Sequence, residues 1–281
     1  MVYNQIKTTF FLSTLVAVLM GIGFMIGSTF GMFIGFLLGM GINFFSYWYS
    51  DKIVLKMHKA KLAPKDHKLY KMVEELSKTA KLPMPKVYII EAPSPNAFAT
   101  GRNPNNAVVA ATESLLKIMD EEEVKGVMAH ELSHVKNRDT LIQTIAVGMA
   151  SSIAMIAEFL QWSLIFGLGG DEDNPLPSLA GTIALLILTP IIATMIQLAI
   201  SRQREYMADE GAARIMGSQK PLVSALTKLE SAAKGATNHS SKAPTESLYI
   251  INPFKSSAVF KLFSTHPPTK ERIRRLESLK F

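Results

Sequence analysis

Four long apolar runs divide the chain. Thr8 to Ser50 contains no charged residue and is long enough for two crossings of a bilayer. It reads as a helical hairpin turning at Gly27-Ser28-Thr29 with Gly31. Glycines recur at 21, 23, 27, 31, 35, 39 and 41, and Gly27, Gly31, Gly35 and Gly39 fall four apart. That spacing fits close helix approach in lipid, and equally the ordinary abundance of glycine in membrane helices. A third run, Thr140 to about Phe166, is interrupted only by Glu158, which reads as lying near the outer interface or pairing within a bundle. A fourth, about Leu179 to Ile200, contains Pro190, a kink position. The length and lack of charge of these last two runs favour membrane spans over core helices of a soluble domain.

Between the runs the pattern changes. Asp66 to Lys81 reads as an amphipathic helix with Leu69, Met72, Val73 and Leu76 on one side. Strand-like runs follow at Lys86–Glu91, Ala97–Thr100 and Ala107–Ala111. Helices are expected at 121–137, 201–216, 221–234 and about 269–280, with a polar loop over 237–247. The fold class is therefore α+β: a mainly helical domain with a small β-sheet, plus four transmembrane helices in two hairpins. The expected divisions are an N-terminal hairpin at 1–50, a first domain part at 51–139, a second hairpin at 140–200, and a second domain part at 201–281.

Charge orients this layout. The connection 167–178 carries Asp171, Glu172 and Asp173 and no basic residue. The opposite ends carry Lys7, Lys52, Lys56, Lys59, Lys136, Arg138, Arg202 and Arg204. By the positive-inside rule those ends are cytoplasmic, which places both termini and the soluble parts there. The 281-residue chain is 48% hydrophobic yet has a formal net charge of +7. No aromatic-interleaved basic motif or zinc-knuckle spacing accompanies that charge, so nucleic acid is not an expected partner. There is no cysteine, which removes disulfides and thiolate metal sites and leaves His and carboxylates as ligands. No motif specifies the oligomeric state.

The candidate chemistry lies in His130-Glu-Leu-Ser-His134. On a helix the two imidazoles stand about 40° apart, one turn from each other. Such a pair can grip one Zn²⁺, leaving Glu131 to act as a base. Laid out at about 100° per residue, the helix 121–137 sorts into sectors. His130 and His134 share one with Glu123 and Asn137. Val124, Met128, Leu132 and Val135 form a core face, and Lys125, Ala129, Ser133 and Lys136 a solvent face. A hydrolytic zinc site needs a third protein ligand and one open position. Glu205 can supply it, and Asp209, one turn on, can accept a hydrogen bond from the outer nitrogen of a ligand imidazole. Ala208, Ala212 and Ala213 are small enough to let that helix lie close to the first.

The strings HELSHVKNRDT, REYMADEGA and STHPPTKERI, following an N-terminal hydrophobic hairpin, resemble the M48 zinc metallopeptidases, nearest to their HtpX-like heat-shock membrane branch. The resemblance covers essentially the whole chain. It implies one zinc ion per chain, with His130, His134 and Glu205 as ligands and Glu131 as the catalytic glutamate. It sets Asp209 behind the ligands. Asn96, Ala97, Phe98 and Ala99 correspond to the edge strand that receives an extended polypeptide substrate. His266 and Arg272 correspond to an HPxxxxR pattern expected near the site, stabilising the oxyanion or bracing Glu205. The implied substrates are cytoplasmic loops or misfolded segments of membrane proteins, in protein quality control and stress response. The charges flanking 130–134 argue against a site within the bilayer. A non-catalytic zinc-binding scaffold or transporter is the alternative of a different class.

Overall fold

In the computed structural model, residues 2–141, 202–239 and 267–280 are described. They fall into two compact units, one reaching to Tyr49 and the other starting at Ser50. The expected runs at 140–166 and 179–200, with Glu158 and Pro190, lie outside the described residues apart from Thr140 and Leu141.

Helix α1 (Val2–Met57) is two helical arms joined through Gly27 and Ser28, whose backbones leave helical space. The arms run antiparallel. Asn43 Nδ2 donates to the Leu12 carbonyl at 3.0 Å. A Cβ on Gly35 would collide with the Leu19 carbonyl, one on Gly31 with the Gly23 carbonyl, and one on Gly39 would stand 3.0 Å from Val16 Cα. Gly21 and Gly41 face nothing within 4 Å. Of the four-apart glycines, Gly31, Gly35 and Gly39 are where the arms touch, while Gly27 faces nothing within 4 Å and serves the turn, which favours the close-approach reading of their spacing. By length and apolarity one described helix qualifies to cross a membrane, Gly27–Tyr49, while Leu12–Phe24 is shorter. Phe30, Phe33, Leu37 and Leu38 on the longer arm are exposed.

The second unit is mostly helical around a small mixed sheet. Strands β1 (Lys61–Leu62), β2 (Lys86–Ile90), β3 (Ala97–Thr100) and β4 (Val108–Thr112) lie in the order β1-β2-β4-β3. β2 and β4 are parallel, and β1 and β3 add antiparallel edges. β4 is buried along its whole length, as its apolar Val-Val-Ala-Ala run requires. β3 pairs Phe98 with Ala110 and Ala99 with Val109, and is an edge strand among the described residues. Gly101 closes it at φ +127°, where a side chain would strike the Asn106 carbonyl.

Helix α2 (Lys68–Ala80) buries Leu69, Met72, Val73 and Leu76 as its periodicity indicates, and ends on left-handed Lys81. Thr112 ends β4 and caps the short α3 (Glu113–Ile118). α4 (Glu121–Asn137) crosses the core, flanked by α5 (Arg202–Met216), α6 (Lys220–His239) and α7 (Thr269–Glu277). Two glycines set the packing distances. A Cβ on Gly126 would lie 2.8 Å from Leu222 N, so α6 seats directly on α4. One on Gly211 would lie 2.6 Å from Ser133 Oγ, so α5 does the same from another side.

That second contact corrects the expected solvent face of α4. Ala129 and Ser133 are buried, because the Ala208, Gly211, Ala212 stripe of α5 covers them. Strand β1 and helix α3 were not expected from the pattern. Helix α6 runs to His239, into the expected 237–247 loop, whose remainder lies outside the described residues.

Candidate metal centre

α4 begins on a capping box. Asp120 accepts from Glu123 N at 2.9 Å, and Asp120 N donates to Glu123 Oε2 at 2.9 Å. Three glutamates in the first turn complement the positive end of the helix dipole. Glu123 does not join the histidines, although it shares their sector. Its carboxylate, buried at the helix start, accepts from Ser224 Oγ and Lys228 Nζ of α6, both at 2.6 Å. At the far end α4 stops on Arg138 in the left-handed region, whose N–H reaches the His134 and Val135 carbonyls.

His130 and His134 are both buried, with rings 4.7 Å apart and nearly perpendicular. Their Nε2 atoms face each other at 3.2 Å. Glu205, 2% exposed on the first turn of α5, places one carboxylate oxygen 3.5 Å from His130 Nε2 and the other 3.4 Å from His134 Nε2. One ligand atom from each residue fits within 4.8 Å of the others. Tetrahedral zinc at about 2.0–2.1 Å from its ligands spaces them about 3.3–3.4 Å apart. The Nε2–Nε2 distance of 3.2 Å is near that spacing, and each histidine has a Glu205 oxygen at 3.4–3.5 Å, so the donor set suits zinc.

The outer nitrogens are held as well. His130 Nδ1 is 3.0 Å from Asp209 Oδ1, and His134 Nδ1 is 3.3 Å from Asp139 Oδ2. Each carboxylate fixes a tautomer that leaves Nε2 facing the metal position. Burial alone would push His134 down, but Asp139 and Glu205 hold it up at about 10. His130 is raised in the same way by Asp209 and Glu205 against the effect of burial. Burial would raise Asp209, yet hydrogen bonds from Arg272 and His130 keep it at about 2. A site that draws protons onto buried imidazoles is short of positive charge.

Arg272 lies beside the centre on α7. Its Nε and terminal nitrogen form a two-pronged pair with Asp209 at 2.9 and 2.6 Å. It therefore braces Asp209, which in turn faces His130 Nδ1. Arg275 of the same helix stacks over the Tyr206 ring at 3.8 Å, which seats α7 on α5. Glu131 is 9% exposed on α4 between the two histidines. His266 lies outside the described residues.

β3 packs against α4, and Thr140 Oγ1 ties the two by donating to the Gly101 carbonyl at 3.0 Å. Asn96 is fixed through its backbone: its N donates to Thr112 Oγ1, and its carbonyl accepts from Thr112 N, both at 2.9 Å. Ala97 is half-buried, and Phe98 and Ala99 are buried.

Residues 63–280 match the profile of Peptidase family M48. The chain belongs to peptidase family M48. "Protease HtpX homolog" of Desulfatibacillum aliphaticivorans is 50% identical over 277 residues, covering 97% of this chain and 89% of its own length. The protein of the same description from Pyrococcus furiosus is 46% identical over 276 residues, covering 98% and 95%. The crystal structure of S. mikatae Ste24p superposes with a TM-score of 0.56 at 17% identity. That likeness covers 98% of this chain but 66% of the other, just under two thirds of its length, and it shows the fold. As an M48 member of this kind the chain is a membrane-associated zinc metalloprotease, and His130, His134 and Glu205 form a group that could hold the metal.

Three residues of this M48 site were not singled out for it from the sequence. Asp139 backs His134. Arg204, read only as a charge at the end of a span, is 6% exposed beside Asp139. Gly211 sets how near α5 comes to α4. The signal for Asp139 was its position just past the helix in Asn-Arg-Asp-Thr. No signal in the sequence distinguishes Arg204 from Arg202.

Proposed function

We propose that this chain is an endopeptidase at the cytoplasmic face of the plasma (cell inner) membrane, hydrolysing peptide bonds in cytoplasmic loops or misfolded segments of membrane proteins. Four spans and cytoplasmic termini are supported by the basic ends and the acidic 167–178 connection. The observation that carries the catalytic reading is the convergence of three ligand atoms beside a buried, centrally placed Glu131.

In this reading Nε2 of His130 and His134 and a carboxylate oxygen of Glu205 hold zinc. When bound, the ion supplies Lewis acidity that polarises the scissile carbonyl and acidifies water. The Glu131 carboxylate takes a proton from the attacking water and returns it to the leaving amine. The edge of β3 that has no strand partner among the described residues receives the extended substrate through backbone pairing, which suits tolerance of many sequences. The Asn96 side chain bonds the substrate backbone at the start of that strand. His266 donates to the developing oxyanion, a role supported by the HPxxxxR pattern alone.

A structural zinc site takes four protein ligands. The cluster among the described residues has three, and Asp139 and Asp209 are committed to the outer imidazole nitrogens, which favours catalysis over a scaffold. The test is hydrolysis of unfolded casein by the full chain in detergent. Wild type is expected to cleave, to stop with a chelator and to recover with zinc. Glu131→Ala keeps one zinc per chain and loses cleavage. Full cleavage by Glu131→Ala at wild-type rate would refute the assignment.

A further inference from the structure

Asp139 lies immediately beyond α4, and Arg204 directly precedes Glu205 in the first turn of α5. Both are buried, 2% and 6% exposed. Asp139 Oδ2 stands 3.3 Å from His134 Nδ1, and Oδ1 stands 3.7 Å from Arg204 Nε. One carboxylate thus meets an imidazole at the end of one ligand helix and the arginine next to the ligand on the other. The far flank repeats the plan, with Asp209 between His130 and Arg272.

We propose that Asp139 and Arg204 form a clasp that positions His134 and Glu205 for the metal. The inference rests on the zinc-site reading above. An imidazole without a partner at Nδ1 is free to change tautomer and to rotate, whereas a carboxylate there holds Nε2 toward the metal. Arg204 stands against the other oxygen of that carboxylate, so Asp139 is approached from the second ligand helix as well. Since Arg204 and Glu205 are neighbours, the same pairing pins the turn of α5 from which Glu205 reaches inward. Asp139 also lies three positions before residues 142–201 and Arg204 three positions after them. The clasp therefore joins the points where the chain leaves for that apolar insertion and returns from it.

The test uses the full chain in detergent. Zinc affinity is read by competition with a chromogenic chelator, and ligand geometry by the visible spectrum of the cobalt-substituted protein. Asp139→Ala and Arg204→Met are expected to bind zinc about 10- to 100-fold more weakly. Asp139→Asn keeps the shape but gives up the charge, and is expected to lose about tenfold. Arg204→Lys keeps the charge and restores most of the affinity. The cobalt spectrum shifts in Asp139→Asn while its circular dichroism does not. A purely structural role would lower stability and leave affinity and spectrum unchanged. Wild-type affinity and spectrum in both Asp139→Asn and Arg204→Met overturn the clasp, whether or not Asp139→Ala folds. His134→Ala and Glu205→Ala serve as controls: if they retain zinc, the metal reading itself fails, and if only they lose it, the clasp fails alone.

Discussion

Gly211→Ala should damage the metal centre without touching any ligand. The added Cβ would lie 2.6 Å from Ser133 Oγ and 2.9 Å from Ser133 Cβ. Ser133 cannot easily yield, because it is buried and its Oγ donates to the Ala129 carbonyl at 2.8 Å. Relief to an ordinary contact of about 3.5 Å moves α5 away from α4 by about 0.6–0.9 Å. Glu205 rides on α5 and the two histidines on α4, and a zinc site tolerates about 0.2 Å. Stability is a poor readout here. Overpacking costs about 1–3 kcal/mol, while alanine in place of glycine in a helix gains up to about 1 kcal/mol. Zinc affinity has no such offset and should fall at least about tenfold, or about 1.4 kcal/mol. Ser133→Gly removes both obstructing atoms, so Gly211→Ala/Ser133→Gly should bind zinc more tightly than Gly211→Ala alone. Chelator competition on the four proteins of this cycle measures the coupling. Wild-type affinity in Gly211→Ala, or a double variant no better than the single, would refute the argument.

Arg272→Met leaves Asp209 buried with one oxygen unpartnered, and should cost about 3–5 kcal/mol in chemical denaturation of the detergent-solubilised protein. A loss under about 1 kcal/mol would show that the pair is dispensable. Glu123→Gln tests pH dependence. Burial would raise the Glu123 carboxyl, but Lys228, Ser224 and the Asp120 N–H hold it below its ordinary value. Its contribution is therefore present above the unfolded pKa of about 4.5 and lost as pH falls through the lower folded value. Lys228 is 43% exposed, so the effect is discounted to about 1–2 kcal/mol. The stability gap between wild type and Glu123→Gln should close on acidification below about pH 4, and a gap that widened would reverse the sign. Gly35→Val should force the hairpin arms apart, whereas Gly41→Val, facing nothing within 4 Å, should not. Equal thermal stability of the two variants in detergent would count against the packing described.

The parts of the fold governed by local periodicity were legible. The buried face of α2 and the turn at Gly27 and Ser28 follow from spacing alone. Glu205 and Asp209 were legible because their four-residue spacing repeats the logic of the histidines. The misses share a cause, which is that another element decides. Ala129 and Ser133 look solvent-facing until the small-residue stripe of α5 covers them. Asp139 would point well away from His134 if α4 continued, since five residues advance about 500° around a helix. Left-handed Arg138 breaks that phase and lets the aspartate return to the histidine. Arg204 looks like any cation at a span end, and its burial beside Asp139 becomes visible only in the fold.

The buried shell explains why the site calls for a divalent ion. Glu131, Asp139, Glu205 and Asp209 carry four formal negative charges within it, and Arg204 and Arg272 carry two positive ones. With neutral imidazoles, the formal charges of these described residues are two negative in excess, in an interior where unbalanced charge is costly. The same excess is felt at His134, which Asp139 and Glu205 hold up at about 10 against the effect of burial. A zinc ion supplies the missing two charges at the one point where Nε2 of both histidines and the Glu205 carboxylate converge. The arginines cannot substitute for it, because each is committed to an aspartate behind an imidazole. Charge balance and ligand geometry thus impose the same requirement, and each residue of the outer ring serves both.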